Sequence, residues 1–218
     1  LIPSDAPPAG RFITLEGGEG AGKSTQAALL AEALKARGLS VLLTREPGGA
    51  PGAEVLRGLL LSGQTQWSAP AETMLHFAAR AEHVERTVRP ALAAGNWVVC
   101  DRFADSTMAY QGYGQGADRV MIAALTGLVG LLPDRTLILD VSPFVAASRR
   151  RGRGGVADRY EREEAAFHAR VRDGFLAIAA REPQRCALVN ADGSQDEVHA
   201  SILEAIKPLL VPASRDQP

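Results

Sequence analysis

Short apolar runs alternate with longer stretches of helical spacing along the whole chain. Residues 12–15, 41–44, 97–100, 136–140 and 186–189 are brief, apolar or β-branched, and bounded by polar or glycine-bearing segments, which predicts five strands. Between and after them, residues 23–37, 53–61, 71–94, 119–131, 143–151, 161–181 and 195–210 read as helices. Strand and helix alternate throughout, so the expected fold class is α/β: a five-stranded parallel sheet, doubly wound by helices on both faces. Such sheets bind ligands in the crevice outside the carboxyl ends of their strands, so chemistry is expected in the residues that follow each strand.

Length and composition narrow this picture without changing it. The 218 residues suffice for one domain with a sizeable core. The expected layout is a tail at 1–10, a single domain at 11–211 and a tail at 212–218. A formal net charge of −1 gives no reason to expect nucleic acid or a membrane as partner, so the partners are expected to be small molecules. No apolar run approaches the roughly 20 residues of a membrane span, and the Pro-bearing start has neither a basic nor an apolar leader pattern. Cys100 and Cys186 lack CxxC spacing and sit in separate strand-like runs, which predicts buried free thiols and fits a reducing, cytoplasmic compartment.

The first predicted strand runs directly into Gly17-Gly18-Glu19-Gly20-Ala21-Gly22-Lys23-Ser24-Thr25, which fits GxxxxGK[ST] and opens into a helical pattern. Glycines let successive backbone N–H groups turn inward around phosphate oxygens, and the helix N-terminus adds partial positive charge. In that arrangement Lys23 reaches the β- and γ-phosphates of ATP and Ser24 offers a hydroxyl to Mg²⁺. The loop by itself does not separate kinases from GTPases or mechanical ATPases. Neither Asn in the chain is followed by Lys, however, and no Asp has Gly three residues later, so the guanine-reading and switch motifs of GTPases are missing. The strand at 97–100 ends in Asp101-Arg102 rather than in the Asp-Glu of mechanical ATPases, and an Arg there points to a second phosphate.

Two further clusters follow strand ends, Thr44-Arg45-Glu46-Pro47-Gly48-Gly49 and Asp101-Arg102-Phe103, and both face the same crevice as the phosphate loop. Together with LHFAARAEHVE, STMAYQGYG and the Arg-rich segment before Asp158, these stretches resemble bacterial thymidylate kinases from about residue 11 to residue 210. The resemblance implies a P-loop nucleoside monophosphate kinase that uses MgATP and dTMP and works as a homodimer. It further implies that Arg102 and Arg57 hold the acceptor phosphate, that Asp101 organises the Mg²⁺ shell, and that Glu46 lies beside the acceptor nucleotide. Thr107, Gln111 and Arg80 match the positions that read the thymine edge, a task suited to a hydroxyl, an amide and a guanidinium.

For the base-stacking position the family pattern points to His76, where it usually has an aromatic residue, and Phe77 is the neighbouring alternative. Helical spacing places Met74, Phe77, Ala81, Val84 and Val88 on one stripe expected to be core, with His76, Arg80 and His83 on the adjacent face. His83, His168 and His199 are expected as partly exposed helix residues.

Arg149, Arg150, Arg151 and Arg153 precede Gly154-Gly155, in a cationic segment (about 149–157) where nucleoside monophosphate kinases carry a closing lid. In thymidylate kinases with Glu at the position of Glu19 and no Arg in the loop, the lid supplies the catalytic Arg; Arg153 is the first candidate and Arg149 the second. A phosphomonoester has its second pKa near about 6, so dTMP is largely a dianion at neutral pH and needs no general base. The expected machinery is therefore cations and positioning, from Lys23, Arg102, Arg153 and Arg149 with Glu19 beside them. Two other readings stay open: a kinase for another acceptor, such as dUMP or AMP, and a non-catalytic ATP-binding module.

Overall fold

The computed structural model describes residues 10–153, 160 and 163–210, with residues 152 and 153 described by their backbone alone. Residues 1–9 and 211–218, and residues 154–157 of the expected 149–157 lid segment, lie outside these residues. Five strands form one all-parallel sheet: β1 (Phe12–Glu16), β2 (Val41–Arg45), β3 (Trp97–Asp101), β4 (Arg135–Asp140) and β5 (Cys186–Asn190). Their order across the sheet is β2-β3-β1-β4-β5. Four strands run one residue past the apolar stretch that predicted them, ending in Glu16, Arg45, Asp101 and Asn190. Those polar residues continue the ladder, and two of them, Arg45 and Asp101, line the cleft described below.

β1 is central, and all five of its residues are buried. Successive residues of a strand face opposite sides. Ile13 and Leu15 accordingly pack with Leu30 and Leu34 of α1 (Lys23–Lys35) and Ile202 and Ile206 of α9 (Gln195–Leu210). Phe12 packs on the other face with Val84, Val88 and Phe103, its ring meeting that of Phe103 edge-on at 4.9 Å. Burying a side chain of this size contributes about 1.5–3 kcal/mol, so the two clusters hold the loops after β1 and β3 on a rigid base.

The remaining helices are α2 (Pro51–Leu61), α3 (Ala69–His83), α4 (Arg89–Ala93), α5 (Ala104–Thr107), α6 (Arg119–Val129), α7 (Pro143–Arg153) and α8 (Ala165–Arg181). The single helix expected over 71–94 is interrupted by a π-helical stretch, Val84–Val88. Pro90 follows it and has no N–H to donate into the preceding turn, which favours a wider register there. A second π stretch, Met108–Gly114, continues α5, where the sequence pattern predicted no helix. The expected core stripe on α3 also needs correction, because Met74 is 56% exposed and Ala81 lies at the surface, whereas Phe77, Val84 and Val88 are buried.

Cys100 and Cys186 are free and buried, as expected. Among the described residues no helix is long and apolar enough to cross a membrane.

Candidate active site

The loops after β1, β2 and β3 enclose a cleft of about 520 Å³ with the face of α3 and the α5–π segment. The loop after β1 takes its shape from glycines with left-handed φ. A Cβ at Gly17 (φ 135°) would sit 2.5 Å from Leu139 O, and one at Gly20 (φ 81°) would sit 2.7 Å from Ala146 O. Glu19, Gly20, Gly22, Lys23, Ser24 and Thr25 line the cleft. Gly17 and Gly18 enter through their carbonyls, which accept from Lys23 Nζ at 3.0 and 2.8 Å. Ala21 belongs to the core beneath. Burial, followed by repulsion from Arg102, lowers Lys23 to about 8, although Glu19 opposes the shift.

Arg102 has φ 71°, left-handed backbone in a residue other than glycine, which costs on the order of 1 kcal/mol or more and persists only where neighbours fix it. The fixing groups are visible. Its own N–H donates to Leu15 O at 2.9 Å, and the next N–H, that of Phe103, donates to Glu16 Oε1 at 2.7 Å. Glu16 Oε2 accepts from Ser106 Oγ at 2.5 Å, and Ser106 Oγ lies 3.4 Å from Arg102 Nη1. Glu16 is fully buried, and burial, then the nearby charge of Asp105, raises it to about 7. Asp105 is itself gripped by Arg185, with contacts of 2.7 and 3.0 Å.

So held, the Arg102 guanidinium lies over the Tyr110 ring at 4.9 Å and ion-pairs with Glu19. Glu19 also accepts from Tyr110 Oη at 2.8 Å. Burial would raise Glu19, but the charges of Arg102 and Lys23 and the Tyr110 hydroxyl outweigh it and bring the group down to about 2. Ser24 Oγ donates to Asp101 Oδ2 at 2.5 Å, and Asp101 Oδ1 is buried with no hydrogen-bond partner among the described residues. A hydroxyl beside a carboxylate with one unmet oxygen suits a hard divalent cation, which takes oxygen ligands and few protein groups.

On the other wall, Arg80 is 2% exposed and clamped at two nitrogens: Nε donates to Glu46 Oε2 at 2.8 Å and Nη2 to Thr107 Oγ1 at 3.0 Å. Its Nη1 is buried without a partner among the described residues. Gln111 Nε2 donates to Glu72 Oε1 at 2.9 Å and to Tyr160 Oη at 3.1 Å. Arg57 Nη1 donates to Pro47 O at 2.6 Å and lines the same cleft.

His76 lines the cleft, with Nε2 2.9 Å from Tyr160 Oη. Phe77 is not brought there; its ring packs with Ala117 and Ile122 and supports the Arg80 guanidinium at 4.6 Å. One residue along a helix turns a side chain by about 100°, which separates the two candidates. Arg149 also stays outside the cleft, donating to Ala191 O and Gly193 O, both at 2.8 Å. Arg153 ends α7, and its side chain lies outside the described residues.

Sequence reasoning missed Glu16, Glu72, Tyr110, Tyr160 and His83 as parts of this site. A carboxylate closing an apolar strand just before the glycine loop was the available signal for Glu16. His83, expected to be partly exposed, is 0% exposed because Thr44 and Glu46 satisfy both ring nitrogens, at 2.8 and 2.9 Å. His168 and His199 are partly exposed, as expected.

Comparison with known proteins identifies relatives along nearly the whole chain. The profile of the family described as thymidylate kinase matches residues 15–202. The thymidylate kinase of Rhizorhabdus wittichii is 57% identical over 206 residues, covering 92% of this chain and 99% of that protein. That of Gluconobacter oxydans is 55% identical over 202 residues, covering 90% and 94%. The crystal structure of thymidylate kinase from Ehrlichia chaffeensis superposes with a TM-score of 0.75 at 38% identity, covering 93% of this chain and 100% of that one.

Proposed function

The chain belongs to the thymidylate kinase family, and from that premise we propose that its cleft transfers the γ-phosphoryl group of ATP to dTMP, giving dTDP and ADP. The observation that carries this reading is the convergence, in one cleft, of the phosphate loop and Arg102 with the buried Arg80, Thr107 and Gln111 set.

The donor phosphates lie in the loop of residues 17–25, where inward N–H groups and Lys23 take their charge. Mg²⁺ would be held by Ser24 and Asp101 and would supply neutralisation of phosphate charge there. Arg102 and Arg57 hold the acceptor phosphate. It enters as a dianion, so its oxygen attacks without a general base, and the protein contributes alignment and positive charge. When that phosphate arrives, Arg102 exchanges its contact with Glu19 for one with the substrate. At the base end Arg80 Nη1 is a fixed donor for a carbonyl oxygen, with Thr107 and Gln111 beside it. His76 takes the stacking position. The cation brought to the γ-phosphoryl is assigned first to Arg153 and second to Arg149, whose guanidinium is already engaged by Ala191 and Gly193.

We also infer a homodimer. Met74, Phe77, Ala81, Leu125 and Leu128 of α3 and α6 form a shallow apolar surface, with Leu128 81% exposed and Met74 56% exposed, and a second copy of this face would cover it. The free thiols and the nucleotide substrates fit a cytoplasmic enzyme.

Incubation with MgATP and a panel of monophosphates (dTMP, dUMP, dCMP, AMP), followed by ADP formation, tests the reading. Turnover is expected to be fastest with dTMP. ADP release with dTMP no faster than without an acceptor would refute it.

A further inference from the structure

Arg80 is held by Thr107, by the Phe77 and Phe103 rings and by the carboxylate of Glu46, and of these its charged anchor, Glu46, stands on the loop after β2. That loop carries Arg45, Glu46 and Pro47 to the cleft wall, and it is an edge-strand extension with solvent on one side. A carboxylate there has two oxygens and free rotation unless both are engaged. Arg80 engages Oε2 at 2.8 Å, and the second oxygen is taken by His83 Nδ1 at 2.9 Å. The opposite ring nitrogen of His83 is hydrogen-bonded to Thr44 Oγ1 at 2.8 Å. The carboxylate can only accept, so Nδ1 carries the proton directed at Glu46.

The four groups form one chain, Thr44–His83–Glu46–Arg80, which ends on Thr107 at 3.0 Å. His83, Glu46 and Arg80 are 0%, 5% and 2% exposed, so water cannot substitute for a missing link. The loop is pressed against this chain. A Cβ at Gly49 would lie 2.5 Å from both His83 Nε2 and Thr44 Oγ1, and Gly49 O accepts from Thr87 Oγ1 at 2.8 Å. His83 and Thr87 are four apart, on the same side of the π-helical stretch, so the two contacts pin one loop from one helix face.

Resting on the kinase reading above, we infer that His83 is a positioning residue for the acceptor base: it locks the Glu46 carboxylate, and through it leaves Arg80 Nη1 as a single rigid donor at the cleft wall. No catalytic step passes through His83, and it does not reach the donor loop. Its loss is therefore felt in acceptor binding and acceptor choice, while ATP handling stays as it was.

The test uses the full-length protein as His83→Phe, which fills the space but breaks both hydrogen bonds. Thr44→Val breaks one, and His83→Gln can restore a donor and an acceptor. For His83→Phe the KM for dTMP is expected to rise about tenfold with the KM for ATP within twofold of the parent. Thr44→Val should give about threefold, and His83→Gln should recover at least half of the loss. An unchanged dTMP KM in both His83→Phe and Thr44→Val, or an equal loss of ATP affinity, overturns the inference. A second readout needs no substrate and so separates this inference from the kinase reading. In ¹⁵N-labelled protein without nucleotide, solvent exchange of the Arg80 Nε–H is expected to quicken at least tenfold in His83→Phe, and in Thr44→Val more than in the parent. Unchanged exchange in both variants overturns it, even if the parent phosphorylates dTMP; if the parent fails to use dTMP, the kinase reading falls and the exchange result still decides the role of His83.

Discussion

The Arg102 guanidinium is ion-paired to the Glu19 carboxylate, so the end of β3 and the phosphate loop are tied across the mouth of the cleft. Both groups are largely buried, and Lys23 is close enough to feel both charges. In the proposed reaction this pairing holds the guanidinium until the acceptor phosphate arrives. Breaking a buried pair by removing one partner leaves the other charge uncompensated, which costs on the order of 3–5 kcal/mol in full burial and less where solvent reaches it.

From this pair follows an expectation for Glu19→Gln. The variant should be less stable than the parent at pH 7 by about 1–3 kcal/mol without ligand, because Arg102 loses its counter-charge. Glu19 stands near 2, below its ordinary 4.5, so its contribution is present above pH 4.5 and fades as pH falls toward 2. Saturating dTMP should shrink the deficit, since a phosphate then takes the place of the carboxylate. Urea unfolding with and without dTMP measures it; a deficit that dTMP leaves untouched would mean that Arg102 does not receive the acceptor phosphate. Arg102→Ala, in parallel, should lower kcat/KM for dTMP at least 100-fold while ATP affinity changes little.

Lys23 lends itself to a proton-counting experiment. Its value near 8 in the ligand-free cleft means that it is partly neutral between pH 8 and 9. A polyphosphate favours the charged amine, so ATP binding in that range should take up protons, and apparent affinity should fall as pH rises through 8. Calorimetric titration in two buffers of different ionisation enthalpy reads the uptake directly. Lys23→Met should abolish it and reduce turnover with every acceptor by 10³-fold or more. Equal uptake in parent and variant would place the titrating group elsewhere.

Much of this site could be read from the residues, and the parts that could not share a physical cause. The loop after β1 and the Asp101-Arg102 pair were legible because short motifs at strand ends need only local context. The Met108–Gly114 stretch was not, since its glycines and polar residues interrupt the helical spacing and packing against α8 holds it instead. Glu16, Asp105, Arg185 and His83 were equally silent. Their partners lie in other elements far along the chain, and a buried charge looks like a surface charge until the fold brings its counterpart.

Glu16 makes the pH dependence of stability informative. Its value near 7 lies above its ordinary 4.5, so the folded state holds a proton that the unfolded chain has lost between those limits. The contribution is complete below pH 4.5 and is lost as pH rises through 7. Glu16→Gln, which cannot ionise, should remove that slope from unfolding curves recorded between pH 4.5 and 8. A variant with the same slope as the parent would show that Glu16 does not titrate in this range.

The stacking assignment can be settled by treating His76 and Phe77 as opposite cases. His76 borders the cleft and bonds to Tyr160, whereas Phe77 lies behind it and carries the Arg80 guanidinium on its ring face. A stacking residue loses binding when its ring goes and keeps it when another ring replaces it. His76→Ala should therefore raise the KM for dTMP by about 5–20-fold, the lower part of the roughly 1–3 kcal/mol found for base–aromatic stacking, with His76→Phe recovering most of the loss. Phe77→Leu should cost stability, about 1 kcal/mol, because a core volume changes, with a KM for dTMP within about threefold of the parent. If Phe77→Leu weakened dTMP more than His76→Ala did, the base would have to contact α3 one residue further along the helix, and the cleft geometry on which the whole acceptor assignment rests would need to be redrawn.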